Sequence, residues 1–127
     1  MTRWLSNQRT GDLTDYHLLL AKEVLSSKFV VGLLPEMEKS MQHFEKYFGW
    51  QIINRPHRKK CVEGLISHGA NRHQSIKDIK ATDPKGYEAL LSQNVLDIEL
   101  YHYAEQIFLK QSEFFHKIPR PLVGTLE

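Results

Sequence analysis

The stretch that decides the predicted fold is Phe29-Val30-Val31-Gly32-Leu33-Leu34. It is apolar throughout and β-branched at its centre, which is typical of a strand buried on both faces of a parallel sheet. Such a strand needs a paired neighbour on each edge, because its backbone N–H and C=O groups must find partners. The sequence offers at most one other short strand, Trp50-Gln51-Ile52-Ile53. We therefore expect the remaining strands to come from upstream sequence or from another chain.

A helical alternative exists for the same six residues. Periodicity alone does not distinguish a short apolar strand from a core segment of a small helical bundle. Gly32 and the β-branched centre favour the strand, because glycine and β-branched residues are weak helix formers. The sequence-based prediction is accordingly an α/β fold that is mostly helical within these residues.

Helical patterns lie on both sides of the decisive stretch. Upstream, Asp12 or Thr14 is placed to cap a helix that runs to about Ser27. Downstream, Pro35 opens a second helix and Gly49 is a natural C-terminal stop. The apolar stripe of that second helix is predicted to be Met37, Met41, Phe44 and Phe48.

Two more helices are predicted near the end of the chain. Pro84 starts a short one through Leu91, and Asn94 caps a long one with Asp97 at its third position. Its aromatic residues are assigned to core packing: Tyr101, Tyr103, Phe108, Phe114 and Phe115. Residues 54–84 show little periodicity and predict a loop near 30 residues, which is long for a compact domain.

Composition indicates one ordinary globular domain. The chain has 127 residues, 41% of them hydrophobic and 25% charged, which argues against disorder. We expect residues 1–118 to form the C-terminal part of a domain that other sequence completes, and residues 119–127 to form a flexible tail. The net charge of +2 gives no indication of a nucleic-acid partner, and no run approaches the ~20 apolar residues of a membrane span. A single cysteine, Cys61, excludes an intrachain disulfide.

Basic residues concentrate in the aperiodic segment. They are Arg55, His57, Arg58, Lys59 and Lys60, with Asn71-Arg72-His73 shortly after. This segment is a candidate binding surface for an acidic polymer, and a solvated basic loop is the alternative. Cys61, His68 and His73 are the nearest possible metal ligands, but they match no CxxC, HxxxH or HExxH spacing. We therefore predict no metal site.

Several segments resemble the C-terminal third of the carbohydrate sulfotransferases, the heparan sulfate 6-O-sulfotransferases among them. The first is Thr2-Arg3-Trp4-Leu5, followed by an alanine-bearing helix and Phe29-Val30-Val31-Gly32-Leu33. Next come Glu36-Met37-Glu38 and Phe44-Glu45-Lys46-Tyr47-Phe48-Gly49-Trp50. The last is Leu96-Asp97-Ile98-Glu99-Leu100-Tyr101-His102-Tyr103-Ala104, where the family repeats an aspartate, a leucine-tyrosine pair and an alanine. The resemblance runs from Met1 to about Phe115.

The resemblance implies the C-terminal part of a P-loop-like, parallel-sheet enzyme that moves a sulfuryl group from PAPS to a sugar hydroxyl. It also implies a Golgi lumen location, with a type II membrane anchor in the full-length parent. The expected cofactor-binding residues are Arg3, Asn71, Arg72 and Ser75, because a guanidinium and neutral donors suit a dianionic phosphate. The expected contacts to a sulfated or acidic glycan are Arg55, Arg58, Lys59 and Lys60.

The sequence also departs from the family pattern. It has no Gly-rich loop with a lysine and Ser/Thr, and His73 stands where the family often has Ser or Thr. No catalytic residue is assigned in this sequence. We therefore expect that the missing upstream half of the domain is a partner of this chain, and that the isolated chain has no turnover. The competing hypothesis is a non-catalytic helical module that binds acidic polymers through residues 55–75.

Overall fold

The computed structural model describes residues 1–49 and 79–117, together with His57, Lys60, Cys61, Glu63, Gly64 and Ser67. The helices within these residues are α1 (Thr2–Leu5), α2 (Asp15–Lys28), α3 (Met37–Phe48), α4 (Pro84–Gln93) and α5 (Val95–Lys117). A 3-10 turn, Leu34–Glu36, leads into α3. Helix α5 contacts α1, α2 and α3, so it is the central element of the described chain.

The predicted α/β fold is wrong for the described residues, which are helical and contain no strand or sheet. The stretch expected to be a doubly buried strand runs without regular secondary structure from Phe29 to Leu33. Val31 is buried, whereas Phe29 is 48% and Leu34 54% exposed. The stretch therefore buries one side chain against the helices and leaves others in solvent. The possible second strand, residues 50–53, lies outside the described residues.

Side chains replace the missing sheet partners of this stretch. The Gln111 Oε1 accepts a hydrogen bond from Val31 N at 2.9 Å, and the Gln111 Nε2 donates to Phe29 O at 2.9 Å. Further along, the Ser40 Oγ accepts from Leu33 N at 2.9 Å. A glutamine carries the same donor and acceptor as a peptide group. These three backbone groups are thus satisfied without a neighbouring strand, which is why the apolar pattern was misleading.

The core lies between α2 and α5. It consists of Leu18, Ala21 and Leu25 from α2, Val31, and Leu100, Ile107 and Phe108 from α5. Lys22 adds a surface link between the two helices, because its Nζ lies 2.6 Å from Glu99 Oε1 and 5.5 Å from the centre of the Tyr103 ring. Helix α2 begins at the predicted cap: Thr14 N donates to His17 Nδ1 at 3.0 Å.

Helix α3 packs on α5 through a face that the sequence did not reveal. Its fully buried residues are Ser40 and His43, whereas Phe48 of the predicted apolar stripe is exposed. The predicted stop is confirmed, because Gly49 adopts a left-handed conformation with φ of 64° and its N–H caps the carbonyl of Glu45. Gly32 passes close to α3: a Cβ there would lie 2.7 Å from Phe44 Cζ.

Helices α4 and α5 meet at Asn94. The Asp83 Oδ1 caps α4 by accepting from Gly86 N at 3.0 Å, with Pro84 at the first helical position as predicted. The Asn94 side chain donates a hydrogen bond to Leu90 O, at the end of α4, at 2.8 Å. It therefore stabilises the end of α4, whereas it was predicted to cap the start of α5. His57, Lys60, Cys61, Glu63, Gly64, Ser67 and residues 79–82 are helical. The predicted loop is wrong at these positions, and the predicted tail 119–127 lies outside the described residues.

Candidate functional site

One corner of the molecule joins the start of the chain to α5. The Asp97 carboxylate accepts hydrogen bonds from Thr2 N at 2.7 Å and from the Met1 ammonium at 2.6 Å. Thr2 is fully buried. A carboxylate at the N-terminal end of α1 satisfies backbone donors that have no partner within the helix. Asp97 therefore holds α1 on α5 across 95 residues of sequence and does not act in a capping box of its own helix.

Electrostatics at this corner favour the charged form of Asp97. Partial burial raises the pKa of the carboxyl, but hydrogen bonds from the ammonium and from Thr2, together with the ammonium charge, lower it to about 2. The ordinary value for this group is 3.8. The Asp97 carboxyl consequently stays ionised through the neutral and mildly acidic range, as a structural anchor must.

Arg3 is the predicted cofactor ligand that lies at this same corner. Its Nη1 donates to Gln8 O at 3.2 Å and to Gly11 O at 3.0 Å, which holds the loop between α1 and α2 against α1. A guanidinium carries five N–H donors, and these two bonds use the pair on Nη1. Within the described residues, its Nε and Nη2 make no hydrogen bond. These donors suit a phosphate, so a structural role and a ligand role are compatible in Arg3.

In the sequence, the other predicted site residues lie between α3 and α4. Lys60 is helical and exposed, as is its neighbour His57. Arg55, Arg58, Lys59, Asn71, Arg72 and Ser75 lie outside the described residues. The structure therefore locates Arg3 and Lys60 on different segments, and the assignment of both sets of ligands stays a prediction.

In the parts of the chain that the structure describes, no three His, Cys, Asp or Glu side chains are grouped so as to hold a metal ion. Cys61 is exposed. Helix α5 is the longest described helix, and neither it nor the shorter ones combine the length and apolar character that crossing a membrane requires.

The burial of His43 was not predicted from the sequence, because a polar residue in a helical pattern usually lies on the surface. In the structure it is 4% exposed, and its ring lies 4.8 Å from that of Phe108 and 5.0 Å from that of Phe115. The signal that was available is its spacing: Ser40, His43 and Tyr47 recur at helical intervals on one face of α3. That face points to α5, because Tyr47 also contacts the Phe115 ring.

Comparison with known proteins gives no relative for this chain. No family model matches it, and no curated protein and no solved structure matches it. The resemblance described from the sequence is therefore neither supported nor opposed by these comparisons.

Proposed function

We propose that this chain forms a helical part of a PAPS-dependent sulfotransferase that moves a sulfuryl group to a carbohydrate hydroxyl. The proposal rests on the ordered segments that resemble the heparan sulfate 6-O-sulfotransferases, from Thr2 to about Phe115. By the same resemblance, the parent enzyme acts in the Golgi lumen. The described helices are assigned the role of a scaffold, and the sulfuryl chemistry is assigned to the rest of the enzyme.

The contact between Thr2 and Asp97 is the observation that carries this proposal. These residues belong to the two resembling segments that lie farthest apart in sequence, and they are bonded directly at 2.7 Å. The Thr2 backbone N–H and the Asp97 carboxylate are both engaged at the α1–α5 contact, so we assign this pair a structural role. Residues that recur in a family without a chemical role need a structural one, and this contact supplies it for both segments.

The basic residues account for the recognition chemistry. Arg72 can bind a phosphate through two parallel N–H groups, and Asn71 and Ser75 can add neutral hydrogen-bond donors. Arg3 offers the donors that its Nη1 does not use. Lys60 and the basic residues preceding it supply positive charge to a sulfated or acidic glycan. PAPS provides the activated sulfuryl group when bound, and positive charge around it stabilises the oxygens as charge develops.

Nucleotide binding is the property to test first. Titrating the isotopically labelled chain with PAP, the desulfated nucleotide, should shift NMR signals of Asn71, Arg72 and Ser75. Arg72→Ala should weaken binding at least about tenfold, since a charge-assisted hydrogen bond contributes roughly 1.5–3 kcal/mol. Arg9→Ala is the matched control, because Arg9 is an exposed arginine in the loop after α1, and it should leave binding unchanged.

Two results would count against the proposal. The first is a titration in which PAP shifts no signals in residues 71–75. The second is equal binding by the wild type and Arg72→Ala. Binding of a heparin oligosaccharide without any response to PAP would instead favour a non-catalytic module that binds acidic polymers. Separately, sulfation of a glycan by this polypeptide alone would contradict the expectation that it is inactive without the rest of the enzyme.

A further inference from the structure

His43 occupies an unusual position for an ionisable side chain. It lies on the buried face of α3 and is enclosed by the Phe108 and Phe115 rings of α5, at 4.8 and 5.0 Å between ring centres. Its Nδ1 is buried and has no hydrogen-bond partner among the described residues. An imidazole in this setting packs as an aromatic ring while it is neutral. When the ring is protonated, a positive charge is buried against two apolar rings. Burying that charge costs free energy unless an anion pairs with it.

The charged groups around His43 add to that cost. Burial lowers the pKa of His43 below its ordinary value of 6.5, and the positive charges of His116, Lys46 and Lys39 lower it further. His116 faces it from α5, and the two lysines belong to α3. Lys46 is held in place because its Nζ donates to Phe115 O at 2.8 Å. On the 3-10 turn, the Glu36 carboxylate lies 2.7 Å from the Lys39 ammonium, so this acid is paired with one of these cations.

We propose that His43 is a proton-operated latch between α3 and α5: the neutral ring holds the two helices together, and its protonation releases α3. The inference rests on the packing of α3 and does not depend on the proposed enzymatic function. Because the folded chain binds this proton less readily than the unfolded chain, acidification favours opening. The stabilisation is fully present above pH 6.5 and is lost as the pH falls from there through the lowered pKa of folded His43.

Stability measured against pH tests the latch. The unfolding midpoint in urea should be followed from pH 8 to pH 5 for the wild type and for His43→Phe, which keeps an aromatic ring and removes the proton site. The difference between the two midpoints should be constant above pH 6.5. Below pH 6.5 the wild type should become progressively less stable relative to His43→Phe. His57→Phe is the matched control, because His57 is an exposed histidine that belongs to neither α3 nor α5, and its curve should keep the shape of the wild-type curve.

A direct titration keeps the test decisive if His43→Phe folds poorly. The imidazole signals of His43 in the wild-type chain should titrate below 6.5, and His116→Gln should move that titration upwards by removing one neighbouring cation. Amide signals of α3 should change in step with the His43 ring. The latch is overturned if His43 titrates at its ordinary value, if the α3 amides do not respond, or if His43→Phe shows the pH dependence of the wild type.

Discussion

Asp97 shows how much one carboxylate contributes when it joins segments that are distant in sequence. It receives two hydrogen bonds from the first two residues of the chain. Helix α1 has only four residues and is too short to be stable by itself. Its position therefore depends on tertiary contacts, and the bond to Asp97 fixes its N-terminal end on α5.

Replacing Asp97 with Asn should destabilise the chain at neutral pH by about 1 kcal/mol, after allowance for solvent screening of a partly exposed group. The pKa of Asp97 is lowered from 3.8 to about 2 in the folded chain. Its contribution is therefore complete above about pH 3.8 and is lost as the pH falls towards 2, so the two proteins should converge in acid. Urea unfolding at pH 7 and pH 3 measures this. Asp12→Asn, in the exposed loop before α2, should have little effect, and an equal loss in that control would contradict the assignment.

Between α2 and α3, the polypeptide backbone is supported by side chains. Gln111 pairs with Phe29 and Val31, and Ser40 pairs with Leu33. Each contact joins this extended stretch to a helix, α5 in the first case and α3 in the second. The stretch thus acts as a connecting segment that brings α2, α3 and α5 together around Val31.

Gln111→Glu tests this arrangement because it preserves the side-chain length. A carboxylate can still accept from Val31 N, but it cannot donate to Phe29 O and repels that carbonyl. We expect a loss of about 0.5–1.5 kcal/mol in the free energy of unfolding at pH 7, the usual net contribution of a hydrogen bond, because the lost bond to Phe29 O is exposed. The loss should shrink as the pH falls below about 4.3, where a glutamic acid regains a donor. Gln106→Glu, on the exposed face of α5, is the control. A loss equal to that of Gln106→Glu would show that Gln111 does not support the backbone.

For the whole molecule, stability depends on the small core between α2 and α5. Its members come from both helices and from the connecting stretch, so neither helix buries its apolar face without the other. Leu100 lies at the centre and is 1% exposed, whereas Leu109 on the same helix is 64% exposed. This contrast offers a matched pair of residues on a single helix.

Leu100→Ala should reduce the free energy of unfolding by about 2–5 kcal/mol, because it removes buried methyl groups and leaves a cavity. Leu109→Ala should change it by less than about 0.5 kcal/mol, as is usual for surface substitutions. Thermal or urea unfolding of the two variants beside the wild type provides the measurement. Similar losses in both would mean that α5 has its outer face buried in solution.

The sequence by itself determined where most helices begin and end. Thr14, Gly49 and Pro84 act at helix ends as predicted, because capping depends on local backbone geometry and on neighbouring side chains. The assignment of Phe108 and Phe115 to the core was also confirmed, whereas it was wrong for Tyr101 and Phe114, which are exposed. These features follow from residue type and spacing over a few positions. The candidate ligand set could be proposed from residue chemistry, although only Arg3 and Lys60 lie within the described residues.

Only the tertiary structure decided which groups pair over long distances. Gln111 lies 80 residues from Val31 and Asp97 lies 95 from Thr2, and no local pattern indicates either bond. An apolar stretch such as residues 29–34 has the same composition whether a strand or a glutamine satisfies its backbone. The burial of His43 was likewise decided by the Phe108 and Phe115 rings that enclose it. The physical reason is the same in each case: backbone satisfaction and burial depend on what folds against a residue.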